Sequence, residues 1–302
     1  MKKKILITGG AGFIGNELIK LIEEKKIITV VDKKNNQSTL SKFKKLGIKY
    51  ISGNLINENF SKKIFKKADI IFHLAGITKV PNTDVNLDII KEKKIYDEAV
   101  AKMQNLIKYS KKSSQIIFPS THLIFENYKK NKIVLNENSK PKPNLAYSSS
   151  KLKCEKLLIN NKRKHIILRL GSVYGPTSKK RMFNLPNLFA WRAKNNLKLK
   201  LFSKGIQIKC IVSSKDVARA MIYFSKNLSK NQIFNLVSEH FTIKEIAKIC
   251  KKYNNKVKMI STSDKIPYKG FFISDKKIKK TKFKFEYRYE KFAKEYIGKI
   301  KF

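Results

Sequence analysis

Tyr147 and Lys151 stand four residues apart in Tyr147-Ser148-Ser149-Ser150-Lys151. On a helix, that spacing puts both side chains on one face, a turn apart. A free phenol titrates near about 10, too high for a base at neutral pH. A neighbouring ammonium stabilises the phenolate and lowers that value, so the pair can serve as an acid/base device. In a chain of 302 residues with 68 Lys+Arg, the same pattern also arises by chance, as a surface Tyr beside a solvated Lys. Position favours the chemical reading. The pair follows a fifth strand-like run and a Pro141-Lys142-Pro143 loop, far downstream of a glycine-rich turn.

That turn is Thr8-Gly9-Gly10-Ala11-Gly12-Phe13-Ile14-Gly15. It satisfies both G-x-x-G-x-x-G (Gly9, Gly12, Gly15) and G-x-G-x-x-G (Gly10, Gly12, Gly15). Ile5-Leu6-Ile7 reads as a buried strand before it, and residues 13–24 read as an amphipathic helix after it. Glycine lets the backbone turn tightly and approach a pyrophosphate, while the helix start offers free N–H groups and a positive dipole end. Gly15 lets the helix pack close to the sheet. Asp32 ends the second strand, where a carboxylate accepts bonds from adenosine ribose hydroxyls and repels a 2′-phosphate. Strand, glycines and acid together read as a dinucleotide site that favours NAD over NADP. Lys33 and Lys34 either turn that preference toward NADP or form a solvated loop.

These groups need a frame. Strand-like runs at residues 5–7, 27–31, 49–52, 69–74, 115–119 and 165–170 alternate with helical patterns, the longest at 88–111. Another helix spans 147–158. Such alternation predicts an α/β fold, a Rossmann-type doubly wound parallel sheet with right-handed crossovers. After Gly175-Pro176 the rhythm loosens into helical pieces at 183–194, 216–226 and 243–252 mixed with short strands such as 198–202. The expected division is a dinucleotide-binding domain at 1–175 and a smaller, partly interleaved C-terminal substrate lobe at 176–302. Residues of about 211–237 return to the first domain, with Ile233 to Leu236 rejoining the sheet.

Composition narrows the partners. The hydrophobic fraction is 42%, enough for a core, so extensive disorder is not expected. The formal charge of +46 suggests nucleic acid or an anionic surface, but the cations are mostly Lys, spread along the whole chain, with Arg scarce. A compositional bias rich in Lys, Asn and Ile explains that better than a specific nucleic-acid partner. Cys154, Cys210 and Cys250 are far apart and form no Cys-x-x-Cys pair, so neither a disulfide framework nor a metal site is expected, and a reducing cytoplasm fits. The apolar run after the first lysines breaks at Thr8, too early for a signal core. No stretch approaches the roughly 20 apolar residues of a membrane span.

Taken together, the chain resembles the extended short-chain dehydrogenases/reductases, the NAD-dependent epimerase/dehydratase family that acts on nucleotide sugars. The likeness is carried by Thr8 to Gly15, Asp32, His73-Leu74-Ala75-Gly76, Tyr147 with Lys151, and Arg169-Leu170-Gly171-Ser172-Val173-Tyr174-Gly175-Pro176. It covers nearly the whole chain. It implies that Gly9, Gly12, Phe13, Ile14, Gly15, Asp32, Asn54, Leu55, Leu74, Ala75, Gly76, Tyr147 and Lys151 face the cofactor. In Ser120-Thr121-His122-Leu123-Ile124-Phe125, aligning Ile124-Phe125 with the family's Val-Tyr gives Thr121 as the catalytic hydroxyl, with Ser120 the alternative. Substrate contacts fall to Thr121, His122, Tyr147 and Lys209. The resemblance also implies a homodimer packed through the helices at 88–111 and 147–158.

Departures from the family shape the expected chemistry. Dehydratases of the family carry an Asp-Glu pair directly after this Thr, and here His122-Leu123 stands there. His122 is then a replacement acid or a structural or solvent-facing His. Asn54 replaces an Asp that touches adenine, Ala99 replaces an Asn, and Lys209-Cys210 replaces Arg-Asp. Lys209 would give the substrate diphosphate a point charge without the guanidinium fork. The expectation is a nucleotide-sugar epimerase. A reductase or dehydrogenase with net hydride transfer is the alternative; dehydration and a non-catalytic dinucleotide-binding role stand behind both. Loops at 177–187 and 265–272 would select the sugar, which the residues do not name.

Overall fold

A strand covered on both faces must be apolar along its length rather than alternating. Ile5-Leu6-Ile7 and Ile116-Ile117-Phe118 meet that condition, and each of these residues except Ile5 is fully buried. The computed structural model describes residues 3–34, 37–76, 89–128, 133–176, 184–228, 230–263 and 270–298.

In chain order the first elements are β1 (Ile5–Thr8), α1 (Phe13–Leu21), β2 (Ile28–Asp32), α2 (Gln37–Lys45), β3 (Lys49–Ser52) and α3 (Glu58–Phe65). Then come β4 (Ile70–His73), α4 (Ile89–Tyr109), β5 (Gln115–Thr121), β6 (Val134–Leu135), α5 (Ala146–Asn160), β7 (His165–Leu170) and β8 (Ser172–Tyr174). They are followed by α6 (Leu185–Lys194), β9 (Leu199–Phe202), β10 (Ile208–Ser213), α7 (Ser214–Asn227), β11 (Gln232–Leu236) and β12 (Glu239–Thr242). The chain closes with α8 (Ile243–Lys252), β13 (Met259–Thr262), β14 (Phe272–Ile273), α9 (Lys276–Lys279) and α10 (Tyr289–Gly298).

The main sheet has seven strands in the order β11-β7-β5-β4-β1-β2-β3. β1 pairs in parallel with both β2 and β4, in registers Ile5↔Ile28 and Ile5↔Ile70. The order reverses between β1 and β4, and in open α/β sheets ligands bind in the crevice at such a switch point, beyond the carboxyl ends of the strands. Ile233 to Leu236 do rejoin the sheet, as its edge strand β11.

Two compact units divide the chain. The first consists of residues 1–124, 143–169 and 218–234, around a core that includes Leu6, Val31, Ile71, Met103, Ile116 and Leu158. The second consists of residues 125–142, 170–217 and 235–302, around Tyr174, Phe189, Leu201, Ile246 and Tyr289. Residues 125–142, 170–175, 211–217 and 235–237 thus group with the second unit. There β10 lies between antiparallel β12 and parallel β8, and two-residue β14 pairs with β6.

Several element ends differ from the sequence expectation. α1 stops at Leu21 rather than at residue 24, because Ile22 takes extended backbone (φ −90°, ψ 114°). β5 continues past Pro119 to Thr121, which places the candidate hydroxyl on the strand itself. α3 starts on an Asn57 side chain that accepts Phe60 N–H. α8 starts on a reciprocal Thr242/Glu245 capping box. Asp88 and Phe183, expected to open two helices, lie outside the described residues, as do most of both loops expected to select the sugar. Among the described residues no helix is long and apolar enough to cross a membrane, no group of ligating side chains could hold a metal, and the three cysteines are free and buried.

Packing in the central strands should dominate stability. Ile71→Ala, fully buried in β4, is expected to cost about 2–5 kcal/mol, whereas Val134→Ala, at a side chain 61% exposed, should stay within about 0.5 kcal/mol. Denaturant midpoints for the two variants measure the difference.

Candidate functional site

In the main sheet β1, β2, β4 and β5 are parallel, so their C-terminal ends share one edge. Thr8, Asp32, His73 and Thr121 are the last residues of β1, β2, β4 and β5. The glycine turn leaves β1 at that edge. Gly9 has φ +68°, and a Cβ there would lie 2.8 Å from the Ala75 nitrogen and from the Leu74 carbonyl carbon. A Cβ at Gly15 would lie 2.5 Å from the Gly10 oxygen. Both positions therefore need glycine for close backbone approach. Gly12 caps α1 without a side-chain bond, and the first turn of α1 holds no acidic residue. The helix start is thus open to an anionic ligand. These features fit a dinucleotide pyrophosphate.

The end of β2 is more occupied than its spacing implied. The Ala11 N–H donates to Asp32 Oδ2 (3.1 Å), and the Lys34 N–H to Asp32 Oδ1 (3.3 Å). Lys34 Nζ donates to the Ala11 carbonyl at 2.8 Å, while Lys33 Nζ lies 3.2 Å from Glu98 Oε2. Tyr50 donates its hydroxyl to the Lys34 carbonyl. Burial, then the charge of Asp32, pushes the Tyr50 phenol up to about 12, so it stays a donor. Lys33 and Lys34 are both exposed, and each also reaches an acceptor on a neighbouring segment.

Tyr147 opens α5, the second residue of that helix. The helix has no side-chain cap at Leu145 and no acid in its first turn. The anion comes from α4 instead, where Glu92 Oε2 accepts the Ala146 N–H at 2.9 Å. Lys151 follows one turn later on the face of Tyr147. Its Nζ donates to the Pro119 carbonyl (2.8 Å) and sits 4.6 Å from the Phe118 ring centroid. That contact fastens α5 to β5 two residues before Thr121. The Gly76 end of the β4 loop also comes close, since a Cβ on Gly76 would find Lys151 Nζ at 4.0 Å. Burial lowers Lys151 to about 8, against an opposing pull from Cys154 and Glu155. Its side chain is partly covered by the fold.

Thr121 is buried, and its Oγ1 accepts the Leu123 N–H at 3.2 Å, so its own proton remains to be donated. Ser120 Oγ is buried and makes no hydrogen bond among the described residues. His122 begins a short 3-10 turn and is 5% exposed, which removes the solvent-facing option. His73, fully enclosed, shares a 3.0 Å hydrogen bond with Thr8 Oγ1, which also accepts the Ala75 N–H. Burial, then the charges of Lys151 and Lys102, lowers His73 to about 3, so it is neutral at working pH.

Other expected residues take less direct places. Asn54 is exposed, and its Oδ1 accepts the Ile56 N–H at 3.2 Å, leaving one lone pair for another donor. Leu55 is a core residue whose carbonyl accepts Asn105 Nδ2 (3.0 Å) and Ser61 Oγ (2.7 Å). Leu74 N–H donates to the Thr8 carbonyl at 3.0 Å. Phe13 and Ile14 are half-buried in the first turn of α1. Lys209 lies on β10 of the second unit, beside Cys210, whose Sγ contacts the Phe271 carbonyl at 3.2 Å. Sequence reasoning missed Glu92, Glu155 and the neutral His73. The Glu at i+4 from Lys151 was the one signal that could have marked Glu155.

Comparison with known proteins follows the same line. The model of the NAD dependent epimerase/dehydratase family matches residues 5–236. A dTDP-D-glucose 4,6-dehydratase from Dictyostelium discoideum is 33% identical over 195 residues, 58% of this chain but only 44% of that protein. A UDP-N-acetyl-alpha-D-glucosaminuronate decarboxylase from Bacillus cytotoxicus is 28% identical over 264 residues, 82% of this chain and 79% of that one. The solved UDP-Glc/GlcNAc 4-epimerase of Campylobacter jejuni shares the fold, with a TM-score of 0.80, 22% identity and 98% of each chain covered.

The buried ammonium sets a pH signature. Lys151 is held near 8, below the roughly 10.4 of a free lysine, so its burial destabilises the folded chain at pH 7. The penalty fades as pH rises from about 8 toward about 10.4, where the unfolded chain also loses the proton. Lys151→Met should therefore melt at a higher temperature than the parent at pH 7, with the gap shrinking at pH 9 and above. A gap constant over that range in paired melting curves would contradict a buried ammonium.

Proposed function

Because the chain belongs to the NAD dependent epimerase/dehydratase family, we propose that it is an NAD-dependent nucleotide-sugar epimerase that acts by transient oxidation of the sugar. The observation that favours epimerisation over dehydration is His122-Leu123, in the place where the resemblance implies the carboxyl pair of a dehydratase. Without those carboxyls, the acid and base that would remove water from the sugar are missing.

In this reading Thr121, its oxygen already engaged by Leu123 N–H, donates a hydrogen bond to the reacting hydroxyl. Tyr147 takes that hydroxyl's proton at its phenolic oxygen and later returns it. Lys151, one turn away, favours the phenolate by its charge and would hold the nicotinamide ribose. NAD, held by the Gly9 to Gly15 cradle, would supply a reversible hydride acceptor. Asp32 favours the unphosphorylated ribose, and Lys209 offers the diphosphate a point charge. The same reading carries a homodimer through α4 and α5. Ile90 on α4 is 81% exposed and would be covered there. Sedimentation should return twice the mass of one chain.

The test is turnover of nucleotide sugars by the purified protein. An epimerase forms the epimer with no net gain or loss of reduced nicotinamide absorbance. A steady change in that absorbance would instead mark a reductase or dehydrogenase built on the same residues. Tyr147→Phe should cut turnover by about a hundredfold or more while NAD affinity holds, and undiminished turnover would sink the assignment.

A further inference from the structure

Tyr147, Lys151 and Glu155 follow one another at four-residue steps along α5, on a single face. Glu155 is almost wholly enclosed, with 1% of its side chain exposed. Arg169 on β7, 5% exposed, holds it with Nε at 3.2 Å from each carboxylate oxygen and Nη2 at 2.8 Å from Oε2. Buried pairs of this kind are often replaceable by apolar residues without loss of stability, so stability alone is a weak reason for one here.

Lys151 supplies a stronger reason. Among the described residues its ammonium hydrogen-bonds only the neutral Pro119 carbonyl. The ionisable groups around it can be sorted by charge. On α5 these are Tyr147, Glu155 and Cys154, whose thiol burial pushes up to about 11 and so keeps neutral. On β4 stands the neutral His73. On α4 stands Lys102, paired with Glu98 at 2.7 Å, and on β7 Arg169. Glu155 is the carboxylate of this set that stands on the helix face of Lys151, one turn away.

We propose that Glu155, locked in place by Arg169, is a positioning residue that keeps Lys151 in its ammonium form inside the fold and so keeps Tyr147 ready to lose its proton. The proposal rests on the reading of Tyr147 and Lys151 as an acid/base pair. A merely structural Glu155 would anchor α5 to β7 and leave the titration of Lys151 alone.

The test uses the full chain labelled with 13C at lysine Cε, followed by NMR across pH. The resonance missing in Lys151→Met identifies Lys151, and its midpoint in the parent should lie near 8. Glu155→Gln should lower that midpoint by about one pH unit or more. Because Glu155→Gln strands a buried guanidinium and can unfold the chain, Glu155→Gln/Arg169→Met serves as the second variant. It should show a downward shift of the same sign but smaller, because losing the Arg169 cation offsets part of the loss of the carboxylate. A folded variant whose Lys151 midpoint stays in place, with only the melting temperature reduced, overturns the proposal. Where sugar turnover is measurable, its alkaline limb should move to lower pH in step with the midpoint. A midpoint that moves in a protein inactive on every nucleotide sugar would reject the epimerase reading and leave the Glu155 linkage standing.

Discussion

Lys151 carries an ammonium into the fold, and a buried cation is expensive unless something answers it. The answers come from several elements at once. β5 must run on to Thr121 so that the Pro119 carbonyl faces the ammonium, and α5 must start where it does so that Lys151 reaches that carbonyl. The β4 loop must bring Gly76 alongside with little bulk. His73 must stay neutral, since a second cation there would repel the first. The conditions that hold one charge thus also set the places of the strand end, the helix and the loop on which the proposed chemistry depends.

The glycine turn imposes a second constraint of a different kind. Gly9 and Gly15 are demanded by backbone against backbone: one segment against the end of β4, the other against Gly10. Close packing there draws the start of α1 toward the switch point between β1 and β4. A cradle made this way has little freedom to adjust. The polar network at Asp32, Ala11 and Lys34 then trims its rim without depending on long side chains alone.

Much of this is legible in the sequence because buried parallel strands leave continuous apolar runs and their helices leave a regular stripe. β1, β5 and β7 announce themselves in this way. Elements whose pairing comes from far along the chain do not. β6 is only Val134-Leu135, and its partner Phe272-Ile273 lies well over a hundred residues on, so neither has a local signal. In the site, residue types and spacing find Tyr147, Lys151, Thr121 and Asp32. They do not reveal that Asp32 is engaged by two backbone amides, that Leu55 belongs to the core, or that Glu92 reaches across from another helix to the start of α5. Those facts depend on which side chains meet, and one sequence carries no record of that. Lys-rich composition hides them further, because a lysine that ties a loop looks like one that only meets water.

The interleaving of the two units also governs how the chain can be made. The seventh strand of the main sheet is contributed by residues 232–236, after the chain has twice left the first unit for the second. On the ribosome, therefore, β7 has no outer neighbour until more than three quarters of the protein has emerged. An open strand edge invites pairing with other chains. Neither unit can be cut out as one continuous fragment, and synthesis must pass through a stage in which the sheet exists but its border is still unguarded.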